Sequence, residues 1–75
     1  SGVIKKGDSP LFIFLDGRMI GVGTVDKGIL ATVPNDNLSH TLTVWTSSSK
    51  IYSTTVNFAQ KNEYIFMWDG KTIRL

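Results

Sequence analysis

Residues 12 to 23 read FIFLDGRMIGVG: an apolar run, an Asp-Gly pair, then a second apolar stretch that contains Gly21 and Gly23. A dinucleotide-binding turn would need a third glycine three residues after the second, a helix beginning there and a βαβ unit around it. That position is Asp26, and nothing with helical period follows. The stretch therefore reads as two strands and a tight turn. Asp16-Gly17 suits the positive φ of a two-residue hairpin. A glycine inside a strand marks a bulge, a bend or a close backbone approach, and Gly21 and Gly23 are read in that way.

Working outward, β-branched and aromatic residues recur in short runs separated by Gly, Asn, Asp, Ser and Lys, which predicts an all-β fold. Strands are expected at Leu11 to Asp16, Met19 to Val25, Ile29 to Val33, Thr41 to Thr46, Ile51 to Ala59, Glu63 to Trp68 and Thr72 to Leu75. Asp69-Gly70 is expected to form a second two-residue turn, and Lys61-Asn62 falls where a third is needed. Pro34-Asn35-Asp36-Asn37 reads as a loop shaped by Asx side chains, and Ser47-Ser48-Ser49-Lys50 as a polar hairpin end. No repeat or linker divides the chain, so residues 1 to 75 are read as one domain, with Ser1-Gly2 resembling a cleavage scar. The expected architecture is a small antiparallel β-sandwich or partly open barrel of six to seven short strands.

Alternation assigns the faces. Leu42 and Val44 share one side of their strand opposite Thr41 and Thr43, and Tyr52, Thr54, Val56 and Phe58 share one side opposite Ser53, Thr55 and Asn57. Leu11 to Leu15 and Tyr64 to Trp68 are apolar on both sides. Such strands imply a covering sheet or an apolar face left for a partner.

A domain of 75 residues buries only about 60% of the surface its unfolded chain exposes, which leaves little room for a recessed active site. The absence of cysteine removes disulfides, a thiolate nucleophile and Cys-based zinc sites. Eight Lys and Arg against six Asp and Glu give a net charge of +2, but only Lys5 and Lys6 are adjacent. Nucleic acid or an anionic membrane surface is thus permitted without a basic stripe to argue for either. The apolar runs are a few residues long, whereas a transmembrane helix needs about 20.

His40, the single histidine, lies beside Ser39 and near Asp36. It reads as a half-buried strand-edge residue rather than the base of a triad, which would also need an oxyanion hole and a cleft. The carboxylates never form the dense alternation of a calcium loop; Asn35-Asp36-Asn37 comes nearest and lacks the further glutamate. No metal and no cofactor is expected. Asn37-Leu38-Ser39 fits a glycosylation acceptor, which has meaning only in a eukaryotic secretory setting.

Aromatic residues are the candidates for binding: Phe12, Phe14, Trp45, Tyr52 and Trp68. Trp45 breaks the pattern, because it should point away from Leu42 and Val44. The preferred expectation is that a second layer, formed by the N-terminal strands, covers it. The alternative is an exposed ring that stacks on a sugar, a nucleobase or a partner protein.

IFLDGRMIGVGT at residues 13 to 24 and LSHTLTVW at residues 38 to 45 together resemble the PEGA domains, small all-β modules of bacterial and archaeal envelope proteins. Gly7-Asp8-Ser9-Pro10 stands where that family has its Pro-x-Gly-Ala signature. The resemblance implies a non-enzymatic module, without catalytic residues, that attaches to envelope material or to other proteins outside the cytoplasm. The expected function is accordingly a non-catalytic binding module acting through an aromatic sheet face or an edge strand, its partner a protein, an envelope polymer or a second copy of itself. The alternative is a small barrel that binds single-stranded nucleic acid through stacked aromatics and scattered Lys and Arg.

Overall fold

The computed structural model describes residues 9–75, so the readings of Ser1-Gly2, of the Lys5-Lys6 pair and of Gly7-Asp8 lie outside the described residues. Seven strands follow one another: β1 (Leu11–Leu15), β2 (Arg18–Gly23), β3 (Gly28–Thr32), β4 (Ser39–Trp45), β5 (Lys50–Asn57), β6 (Glu63–Trp68) and β7 (Ile73–Arg74). They form two antiparallel sheets, one ordered β2-β1-β4-β5 and the other β3-β6-β7. The fold is the expected all-β sandwich.

Asp16 and Gly17 join β1 to β2 with φ of 51° and 83°, the paired positive values that a two-residue hairpin with right-handed strand twist requires. Next comes a β-bulge. Ile13 pairs with Gly21 and Phe14 with Met19, so Ile20 is the extra residue. Met19 consequently points outward while Ile20 packs against the core. At Asp69-Gly70 the expected two-residue turn is instead a four-residue loop, since Trp68 pairs with Ile73. Asp69 is the reason: its Oδ1 accepts hydrogen bonds from the Lys71 and Thr72 amides, each at 2.8 Å, which closes a wider turn.

Gly21 and Gly23 set the corner between the sheets. A Cβ at Gly21 would lie 2.5 Å from Ile29 Cγ2, and one at Gly23 would lie 2.6 Å from Ile29 Cδ1. Only glycine lets β2 approach β3 so closely, and Ile29 fills the space. β2 and β3 therefore meet closely at one edge of the sandwich without sharing a ladder, whereas β5 and β7 make no comparable contact at the other.

The core is continuous with the inward faces of both sheets. Ile13, Leu42, Val44, Phe58 and Phe66 are wholly buried. Phe58 stands 5.1 Å from the Tyr64 ring and 6.2 Å from that of Phe66, an aromatic cluster at the centre of the fold. Burial of each such side chain contributes about 1.5–3 kcal/mol, which matters in so small a domain. No helix among the described residues is long and apolar enough to cross a membrane.

Candidate functional site

The five aromatic candidates part into two groups. Phe12 pairs with Trp45 and Phe14 with Thr43 across β1 and β4, so Phe12, Phe14 and Trp45 share the outward face of the four-stranded sheet. Trp68 and Tyr52 point inward and pack edge-to-face at 5.2 Å, with Trp68 only 5% exposed beside Leu11 and Val44. These two belong to the core, and the site narrows to the first three. Tyr64 to Trp68 is apolar on both sides, so alternation leaves open which parity faces inward.

Among the described residues no layer covers Trp45: β1 lies beside it in the same sheet rather than across it. The ring stays 37% exposed. Its Nε1 donates to Thr43 Oγ1 at 3.1 Å, which lays the indole back along β4. Phe14 braces it edge-to-face, with centroids 6.1 Å apart and planes at 63°. Met19 and Val22, each about half exposed, pair with Phe14 and Phe12 and extend the apolar strip onto β2. Phe12, Phe14 and Trp45, with Thr46 and Ser47 at the hairpin end, line a shallow depression of about 350 Å³. Local hydrogen bonds close the hairpin end: Thr46 Oγ1 accepts from the Ser48 and Ser49 amides, and the Thr46 amide donates to the Ser49 carbonyl.

Beyond Trp45 the same face changes character. Thr41 pairs with Thr55, Thr43 with Ser53 and Ser39 with Asn57, all outward. Lys50, opposite Trp45 across a second bulge at Ile51, is the one charged side chain among the outward positions of these four strands.

His40 is the second cluster, and it is more enclosed than a half-buried edge residue: only 8% is exposed. Nδ1 lies 2.5 Å from Asp16 Oδ2 and Nε2 lies 2.8 Å from Asp36 Oδ1. Asp16 Oδ1 also accepts from the Thr41 amide, and Asp36 Oδ1 from the Leu38 amide. The histidine thus clasps the β1–β2 turn and the β3–β4 loop to β4. Hydrogen bonds to Asp16 and then Asp36 raise its pKa above 6.5, against the effect of burial. The reciprocal bonds from His40 lower both carboxylates below 3.8, helped by those backbone amides. With both ring nitrogens committed to carboxylates, neither is free to take a proton from a nucleophile. The three groups face one another rather than a common point, and no cluster among the described residues is arranged to hold a metal ion. Asp36 was legible as a neighbour of His40 in the chain, whereas Asp16, 24 residues away, came within reach only through β1–β4 pairing. Beside the clasp, Arg18, Ile20, Thr32 and Pro34 help line a second depression of about 270 Å³.

No protein-family model, no curated protein and no solved structure matches this chain.

Proposed function

We propose that the chain is a non-catalytic binding module whose working surface is the outward face of β2, β1 and β4, centred on Phe12, Phe14 and Trp45. The observation that carries this reading is an exposed, hydrogen-bond-anchored tryptophan in an apolar strip on a protein whose core is already filled by other aromatics. Large apolar side chains gathered on a sheet face expose apolar surface to water, and a partner that covers them removes that surface from solvent, which is how such patches mark binding surfaces. The clasped histidine supports the non-catalytic side of the proposal, because its geometry serves cohesion of two loops and a strand. An extracytoplasmic, envelope-associated setting is part of the proposal and rests on the resemblance of residues 13 to 24 and 38 to 45 to PEGA domains.

The single-stranded nucleic acid reading finds less support. A backbone-tracking groove needs cations along the aromatic platform, and this face offers Lys50 alone among its outward positions.

The test is an amide NMR titration of the labelled protein with a neutral oligosaccharide mixture, an acidic peptide and a mixed-sequence oligonucleotide in turn. The proposal expects at least one probe to move resonances concentrated on β1, β2 and Trp45. Shifts confined to the β5 edge or to the Arg18 depression, or no shift on the outward face with any probe together with no self-association through that face, would refute it.

A further inference from the structure

We infer that the ligand of this face is a neutral polysaccharide chain, with a sugar ring stacked on Trp45 and its hydroxyls on the threonine and serine rows beside it. The inference rests on the proposed binding role of the face and adds the chemistry of what it binds.

Three observations point the same way. First, the face is almost without charge among the described residues: Lys50 is the one charged side chain at the outward positions of its four strands. A partner recognised by charge, whether phosphate backbone, anionic headgroup or acidic peptide, would find no complement here. Second, the one polar atom of the Trp45 ring is already used within the protein, by Thr43 Oγ1. Trp45 therefore offers a partner its ring and nothing else. The C–H face of a pyranose is an apolar surface of the right shape for such a ring, and an indole already fixed along the strand loses little further freedom when the sugar settles on it. Third, the apolar strip passes directly into a neutral hydrogen-bonding surface. Thr41, Ser53, Thr55 and Asn57 stand exposed in two paired rows next to Thr43. Hydroxyls and an amide both donate and accept, as a sugar hydroxyl also does, so either can satisfy the other directly or through water.

An open, shallow platform suits a polymer better than a small molecule. The depression at Phe12, Phe14, Trp45, Thr46 and Ser47 falls at the low end of ligand-site volumes. It sits at one end of a sheet face that continues along β4 and β5, so neighbouring sugars of the same chain would meet the hydroxyl rows.

The deciding experiment titrates the labelled protein with cellopentaose, mannopentaose and chitopentaose at millimolar concentration, at low and raised salt, beside an oligonucleotide control. Sedimentation velocity over a concentration series accompanies it. At least one neutral oligosaccharide should move Trp45, Phe12 and Thr43 resonances with no dependence on salt. Trp45→Ala should weaken that binding at least about tenfold, the size of one lost aromatic stack, and Trp45→Phe should restore part of it. Thr43→Val, which keeps the strand and frees the indole, should weaken it about two- to tenfold through lost preorganisation. Silence from all three oligosaccharides overturns the inference. If the same face then answers to the oligonucleotide at low salt, or mediates a concentration-dependent dimer that Trp45→Ala abolishes, the binding role of the face stands and only its ligand class falls. If nothing moves the face, both fall together.

Discussion

Replacing Gly23 by alanine places a methyl group where Ile29 already sits. The added Cβ would lie 2.6 Å from both Ile29 Cδ1 and Cγ1, and the matching position at Gly21 is blocked by Ile29 Cγ2. Ile29 cannot turn away from one glycine without meeting the other, because a β-branched side chain has few rotamers to choose from. Overpacking of this kind costs about 1–3 kcal/mol. Against it, alanine restricts the unfolded chain and returns about 0.4–1 kcal/mol where the backbone tolerates it. The net expectation for Gly23→Ala is a loss of about 0–2.6 kcal/mol, centred near 1.3, at roughly 4–8 °C in Tm per kcal/mol for a domain of this size. In an Ile29→Ala background the obstacle is gone and only the entropic gain remains, so the same substitution should become neutral or mildly stabilising. Ile29→Ala itself should cost about 2–5 kcal/mol. Urea unfolding of the four proteins, with midpoints compared at constant m, reads this as a coupling of about 1–3 kcal/mol. An equal effect of Gly23→Ala in both backgrounds would refute the idea that these glycines exist for the β2–β3 corner.

Three other outcomes are expected. Phe66→Ala and Trp68→Ala should each lose about 3–5 kcal/mol, enough to unfold much of a small domain, whereas Trp45→Ala should lose the edge-to-face contact with Phe14 and the exposed hydrogen bond to Thr43, about 1–3 kcal/mol together; thermal unfolding by circular dichroism orders the three. Stability should be greatest between about pH 4 and pH 6.5. The His40 contribution is fully present below 6.5 and lost as pH rises through its raised pKa, when the neutral ring keeps one N–H and turns a lone pair toward a carboxylate. The Asp16 and Asp36 contributions are present above 3.8 and lost as pH falls through their lowered values. His40→Gln should flatten the alkaline side of the urea-midpoint profile and weaken the acid side; a profile unchanged from the parent would show that the clasp carries no stability. Finally, Asp69→Ala should loosen the β6–β7 loop by removing two amide partners, visible as faster amide exchange at Lys71 and Thr72.

The parts of this molecule that follow from local chemistry were legible in its sequence. Asp16-Gly17 announced a hairpin because positive φ at two successive residues is a property of those residues. The outward direction of Trp45 followed from Leu42 and Val44 by parity alone. What parity leaves open is the neighbour. Whether a layer covers Trp45 depends on where β1 docks, and β1 docks edge-on to β4 rather than over it. The same holds for His40, whose second carboxylate comes from a turn far away in the chain. Trp68 was ambiguous because every residue from Tyr64 to Trp68 is apolar, leaving no polar member to mark the solvent side. Asp69-Gly70 closes a longer turn than the pair alone implies, because the Asp69 carboxylate, rather than the backbone alone, sets it.

The claim on which the rest depends is that Trp45 is the working tryptophan and Trp68 a core one. The two indole N–H resonances of the labelled protein, assigned through Trp45→Phe, report on each ring separately during titration with cellopentaose, mannopentaose or chitopentaose. The account predicts that the Trp45 signal moves in proportion to occupancy while that of Trp68 stays in place. Movement of the Trp68 signal alone, with Trp45 unmoved, would place the ligand inside the open edge between β5 and β7 and contradict it.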